Sequence, residues 1–89
     1  MNKKYNPNDF QTLWTKGNKI CSKYLIKKFG KDRFDNGEHV GGNSELGLYG
    51  RWYSDKDGFC LRLTADIIKG EIVSAELVKN NQITNLLND

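Results

Sequence analysis

The hydrophobic positions in the first third of the chain recur at intervals of three and four residues. This spacing predicts an amphipathic helix over 9–29, preceded by a flexible polar arm over 1–8. The apolar stripe comprises Phe10, Leu13, Trp14, Gly17, Ile20, Cys21, Tyr24, Leu25 and Phe29. Asn8 or Asp9 is predicted to cap the helix, and Gly30 stands where glycine commonly follows a helix end.

From residue 46 onward the apolar positions alternate with polar ones, which is the period of β-strands. Turn residues divide the alternation into three stretches, so we predict a three-stranded antiparallel meander over 46–78. Its helix-facing side is predicted from Leu48, Trp52, Phe59, Leu61, Leu63, Val73, Ala75 and Leu77. Gly17 lies on the helix stripe, where the missing side chain would allow close approach of a strand. Residues 80–89 are predicted as a short helix or a fourth strand.

Residues 30–45 have no period and contain four glycines. They are predicted as a glycine-rich loop, which either serves a function or contains a short strand. The predicted fold is therefore a single α+β domain over 1–89, with a long N-terminal helix packed on three or four antiparallel strands. Phe10, Trp14 and Trp52 are predicted core residues.

Composition narrows the class of protein. The ten aromatic residues argue against a disordered chain, and no apolar run is long enough to span a membrane. Cys21 and Cys60 are too few for a disulfide scaffold and predict either two reduced thiols or one bond between helix and sheet. We expect a cytoplasmic protein. Ten asparagines and eleven lysines are typical of AT-rich genomes, including those of many phages.

The charge is distributed unevenly along the chain. Residues 1–33 carry nine basic and two acidic side chains, a net charge of +7, whereas the remainder carries −4. Exposed helices usually mix both signs, so the absence of acids from 10–31 predicts a binding surface for an acidic protein or for phosphates. The lysines assigned to this basic helix surface are Lys16, Lys19, Lys23, Lys27, Lys28 and Lys31.

A second candidate surface is the face of the sheet turned away from the helix. The strand alternation assigns Tyr49, Arg51, Tyr53 and Arg62 to this outer face. Tyrosine and arginine are enriched at protein interfaces, and they also stack on unpaired nucleobases.

Catalytic chemistry has little support in the sequence. There is no phosphate-binding glycine motif, and a single histidine with two separated cysteines cannot form an ordinary zinc site. The one arrangement suited to acid–base work is Asp35, Glu38 and His39 in the glycine-rich loop. We therefore predict no metal, no cofactor and no catalytic residues.

These observations favour a small non-enzymatic protein that blocks a macromolecular partner through the basic helix and the aromatic sheet face. An acidic protein surface or a nucleoprotein complex is the expected partner, as for phage or mobile-element inhibitors and adaptors that counter host defence or neutralise a toxin. The alternatives are a DNA- or RNA-binding module that uses the same lysines, and a small enzyme that uses Asp35, Glu38 and His39.

Overall fold

The computed structural model describes residues 9–87 and contains one α-helix packed across one face of an antiparallel sheet. The helix α1 spans Phe10–Phe29. The strands are β1 Glu38–Asn43, β2 Leu48–Ser54, β3 Cys60–Asp66, β4 Glu71–Lys79 and β5 Gln82–Asn85. They lie side by side in chain order. The α+β class is confirmed, but the sheet has five strands instead of three or four. The predicted arm over 1–8 lies outside the described residues.

Local interactions define both ends of α1. Asp9 caps the start, where its carboxylate accepts the Thr12 N–H at 3.0 Å and the Thr12 hydroxyl at 2.6 Å. These hydrogen bonds lower the pKa of Asp9. At the other end the Gly30 N–H donates to the Ile26 carbonyl at 2.9 Å. The buried face consists of Leu13, Gly17, Cys21 and Leu25, as the periodicity predicted. Within residues 9–87 no helix is long and apolar enough to span a membrane.

The helix-facing side of β2 is the opposite of the predicted one. Tyr49 and Tyr53 are 0% and 3% exposed and lie in the core between sheet and helix. Trp52 is 38% exposed and belongs to the other face, which we call the open face because no element covers it among the described residues. The prediction that Tyr49 and Tyr53 lie outside is therefore wrong.

The turn between β2 and β3 fixes this orientation. Residues directly opposite in an antiparallel pair share a face, and Tyr53 lies opposite the fully buried Leu61. The turn over 55–59 is closed by Asp55, whose side chain accepts the N–H groups of Asp57 and Phe59 at 2.9 Å. A turn one residue longer or shorter would bring the alternate set of β2 side chains, which includes Trp52, to the core face, because side chains alternate along a strand.

Several predicted core residues are exposed. Phe10 and Trp14 are 57% and 46% exposed, since they lie at the start of α1 where the stripe is only partly covered. Val73 is 40% exposed because the β3–β4 register shifts there, and Ile72 takes the position opposite the buried Ala65. Phe10, Trp14 and Trp52 are thus not the enclosed core residues that the sequence predicted.

The glycine-rich segment contains the first strand of the sheet. β1 pairs with β2 and is interrupted by a bulge between His39 and Gly42. At this bulge the two backbones approach closely, because a Cβ on Gly50 would overlap the Val40 carbonyl oxygen. The segment over 30–45 therefore contains a short strand, the second of the predicted alternatives, whose period is hidden because its glycines have no side chains.

The C-terminal segment forms β5, the second of the predicted alternatives. Asn80 and Asn81 have positive φ angles of 52° and 65° and connect β4 to β5 in a two-residue turn. Positive φ angles at both central residues define a type I′ hairpin turn, whose twist matches that of the flanking strands. The Leu86 N–H then donates to the Ala75 carbonyl at 2.8 Å, which extends the pairing past β5. Residues 88–89 lie outside the described range.

The two cysteines lie on opposite sides of the sheet. Cys21 lies on the buried face of α1, and burial raises the pKa of its thiol to about 12. Cys60 is half-buried on the open face, where it pairs with Ser54 and Val78. Both thiols are free, so the alternative of a bond between helix and sheet is not realised.

This arrangement predicts selective alkylation. Iodoacetamide should modify Cys60 in the folded protein, whereas Cys21 should react only as the protein unfolds, because the thiolate is the reactive form. Peptide mass spectrometry with and without urea measures both rates. The Cys60→Ser variant should show almost no modification in the absence of urea, and rapid labelling of its Cys21 would contradict the burial described above.

Candidate partner-binding surface

Four of the predicted lysines form a single row along the exposed side of α1. Lys16, Lys19, Lys23 and Lys27 are all exposed, and we call them the lysine row. At 3.6 residues per turn they fall within roughly 80° of arc, and they cover about 17 Å of the helix axis. The row therefore presents four ammonium groups to one partner surface.

The charge of the row is not neutralised by neighbouring side chains. The ion pairs among residues 9–87 join Arg33 to Asp55 and Arg62 to Glu76, and neither includes a lysine. The acids that flank α1 in the sequence are Asp9, which caps the helix, and Asp32, which forms no ion pair among residues 9–87. The row is thus free to attract anions, most strongly at low salt.

The other two predicted lysines do not belong to the row. Lys28 is exposed but points roughly 100° around the helix from Lys27. Lys31 follows the helix and lines a separate cavity of about 300 Å³, together with Asn36 and Arg51. The predicted six-lysine surface is therefore divided, and only four of its members act on one face.

An apolar groove runs beside the lysine row, between α1 and the start of β4. Its volume is about 450 Å³, and we call it the α1–β4 groove. The lining residues are Lys19, Ile20, Lys23, Tyr24, Lys27, Gly70, Glu71, Ile72 and Leu87. Three members of the row thus form one rim, and Glu71 is the only acid on the opposite side among residues 9–87. The apolar side chains lie between them.

The apolar part of the groove combines core and surface residues. Ile20, Tyr24 and Ile72 are partly buried and pack against the core, so the groove has a firm floor. Leu87 is 43% exposed and adds apolar surface at the β5 end. The Tyr24 hydroxyl is buried without a hydrogen-bond partner among residues 9–87, and burial raises the pKa of this side chain.

The predicted sheet-face site is not assembled. Tyr49 and Tyr53 are buried, and Arg51 is used internally. Its guanidinium donates to the Tyr49 hydroxyl at 2.7 Å and to the carbonyls of Asn36 and Gly37 at 3.0 and 3.2 Å. These contacts tie β2 to the segment that precedes β1, which makes Arg51 a structural residue.

Only Arg62 of that predicted set lies on the open face. Its guanidinium carbon lies 4.5 Å from the centre of the Trp52 ring, and its Nη1 is 3.8 Å from a Glu76 carboxylate oxygen. Arg62 is thus held between a ring and a carboxylate of the same sheet face, while its Nε is buried without a hydrogen-bond partner among residues 9–87.

The acid–base trio is separated by the geometry of β1. Adjacent residues of a strand point to opposite faces, so Glu38 lies opposite Trp52 on the open face and His39 lies on the helix side. The Asp35 carboxylate accepts the N–H groups of Gly37 and Ser54 at 2.9 and 3.0 Å, which fixes the turn. The three side chains therefore do not form one site.

An exposed aromatic cluster was not foreseen from the sequence. The His39 ring lies between Tyr49 and Trp14, with centroids at 5.0 and 4.9 Å, and Phe10 is exposed one helical turn before Trp14. The helical spacing predicted that Phe10 and Trp14 lie in the core. His39 was considered only together with Asp35 and Glu38, as a candidate for acid–base chemistry. Only the pairing of β1 with β2 brings His39 beneath the helix.

Comparison with known proteins gives no guide to function. A scan against protein-family models and searches of the curated proteins and of the solved structures all return no significant match. Among residues 9–87 no group of three or more histidine, cysteine or acidic side chains is arranged to hold a metal ion. The lysine row and the α1–β4 groove together form the candidate binding surface.

Proposed function

We propose that this protein is a non-enzymatic inhibitor or adaptor that docks on an acidic protein through the lysine row. The observation that carries the proposal is the position of the row along the rim of an apolar groove. Lysine ammonium groups recruit carboxylates, and the apolar side chains beside them supply the desolvated contact that gives an interface most of its affinity.

The groove favours a protein over a nucleic acid as partner. A phosphate backbone would neutralise the lysines, but it has no apolar surface to cover Ile20, Ile72 and Leu87. Single-stranded nucleic acids are usually held by exposed rings, but the tyrosines assigned to that role are buried, and the exposed Phe10 and Trp14 lie on the side of α1 away from the lysine row. A protein segment offers carboxylates and apolar side chains together.

Charge reversal in the row tests the proposal. The variant Lys19→Glu/Lys23→Glu should bind fluorescein-labelled poly-L-glutamate about tenfold more weakly than the wild type at ~50 mM salt, since each exposed ion pair contributes up to ~1 kcal/mol and reversal adds repulsion. Fluorescence anisotropy measures the affinity. Both lysines are exposed, so the unfolding transition in urea should be little changed.

Lys56, an exposed lysine in the β2–β3 turn, provides the matched control. Lys56→Glu should leave binding within about twofold of the wild type, whereas the single variant Lys23→Glu, with the same net charge, should weaken it several-fold. Labelled single-stranded DNA, duplex DNA and RNA are titrated in parallel. Tight binding to one of these without binding to poly-L-glutamate would replace the proposal with nucleic-acid recognition. Equal losses for Lys23→Glu and Lys56→Glu would exclude the lysine row as the site.

A further inference from the structure

We propose that the α1–β4 groove receives an acidic amphipathic α-helix of the partner protein. This inference rests on the proposed function and specifies the form of the segment that the lysine row binds. It follows from three features of the groove, namely its walls, its length and its charges.

The walls of the groove favour a helix over an extended peptide. A strand that binds by extending a sheet needs a free edge, where backbone N–H and C=O groups are unpaired. β4 is paired with β3 on one side, but on the other side its pairing with β5 begins only at Glu76, so residues 71–74 form a short free edge. The register with β3 shifts within this stretch, which leaves few aligned backbone groups for an added strand. The other wall is α1, whose backbone groups bond within the helix, and an α-helix in the groove would likewise satisfy its own backbone hydrogen bonds.

The length of the groove suits two turns of helix. Its α1 wall extends from Lys19 to Lys27, which corresponds to about 12 Å of helix axis. Helices that bind in grooves use apolar anchors at positions i, i+3 or i+4, and i+7, which cover about 10 Å. Three such anchors would meet Ile20, Tyr24 and Ile72, with Leu87 covering the last of them.

The charges of the two sides give the bound helix its orientation about its own axis. Lys19, Lys23 and Lys27 recur every four residues, so they match carboxylates spaced three and four apart on one flank of the partner helix. Glu71 lies on the β4 side and would repel acids on the other flank. The expected ligand is therefore acidic on the flank facing α1 and neutral or basic on the flank facing Glu71.

The test compares two stapled helical peptides of about fifteen residues that contain only glutamate and leucine besides the staple. One has its leucines on a single face, and the other has the same composition with the leucines scattered around the helix. Anisotropy with the wild-type protein should give about tenfold tighter binding for the amphipathic peptide. Leu87→Ser should remove most of this preference, whereas Ile83→Ser, at a 57% exposed apolar position outside the groove, should retain it.

Misfolding of a variant would weaken peptide binding, so it cannot explain an increase in affinity. Glu71→Lys should tighten binding of the amphipathic peptide several-fold, because its glutamates then meet lysines on both sides of the groove. Glu45→Lys, with the same charge change at an exposed position outside the groove, should shift it by less than about twofold.

The outcomes separate this inference from the proposed function. Binding of poly-L-glutamate together with equal binding of the two peptides would overturn the groove assignment and leave the lysine row as the docking site. Absence of binding to poly-L-glutamate and to both peptides would overturn the proposed function as well. A preference for the amphipathic peptide that Leu87→Ser and Glu71→Lys leave unchanged would also contradict the groove as its location.

Discussion

Replacing Tyr49 with alanine is expected to lower the free energy of unfolding by about 3–5 kcal/mol, the range for deleting a large buried ring. The Tyr49 side chain is fully buried, stacks on His39 at a centroid distance of 5.0 Å, and accepts a hydrogen bond from Arg51 at 2.7 Å. Domains of this size have on the order of 5 kcal/mol of stability, so Tyr49→Ala should retain only about 0–2 kcal/mol and be partly unfolded at room temperature. Urea denaturation followed by circular dichroism measures the change.

Trp52→Ala provides the comparison, because Trp52 is the neighbouring large ring of the same strand on the opposite face. The Trp52 side chain is 38% exposed, and its ring centre lies 4.5 Å from the Arg62 guanidinium carbon, so we expect a loss of only about 1 kcal/mol. If Trp52→Ala proved much more damaging than Tyr49→Ala, the helix would pack on the other face of the sheet. The pair of variants therefore tests the orientation of β2 directly.

The second large effect is expected at Gly17, where the helix lies closest to the sheet. A Cβ built on Gly17 would lie 2.6 Å from the Tyr49 Cβ and would overlap the ring. Gly17→Leu should therefore destabilise the protein by about 3 kcal/mol, near the upper end for overpacking a core. Gly17→Ala should cost about 1–2 kcal/mol, even though alanine favours a helix over glycine by about 1 kcal/mol.

Thr15→Leu is the control for Gly17→Leu, since Thr15 is exposed on the same helix. Leucine has the higher helix propensity, so this change should leave stability the same or slightly increase it. Thermal unfolding monitored at 222 nm compares the variants. A neutral or stabilising Gly17→Leu would mean that α1 does not lie against Tyr49 at this point.

Local sequence signals were sufficient to predict α1. The helix bounds follow from Asp9, the three-and-four spacing and Gly30, which all act within a few residues of one another. The lysine row was predictable on the same ground, because one element carries all four lysines. Lys31 was misassigned because it lies beyond the helix end, where the helical period no longer applies.

The side of each strand that faces the core could not be predicted from the sequence of that strand alone. In β2 both alternating sets contain large apolar groups, Leu48 and Trp52 on one side and Tyr49 and Tyr53 on the other. The core of β3 and the length of the connecting turn decide between them, so register outweighs the hydrophobicity of either set. β1 was missed for a related reason, since its glycines have no side chains to show a period, and pairing with β2 alone makes it a strand.

The amphipathic helix, the uncompensated lysines along it and the antiparallel β-rich remainder can be predicted from the amino-acid pattern, because each depends on periodicity or charge within one segment. The burial of Tyr49 and Tyr53, the opposite faces of Glu38 and His39, and the groove beside the lysine row become visible only in the folded protein. The groove joins residues 19–27 of α1 to residues 70–72 and to Leu87. Contact between such distant segments depends on strand register and helix packing, which a pattern within one element does not contain.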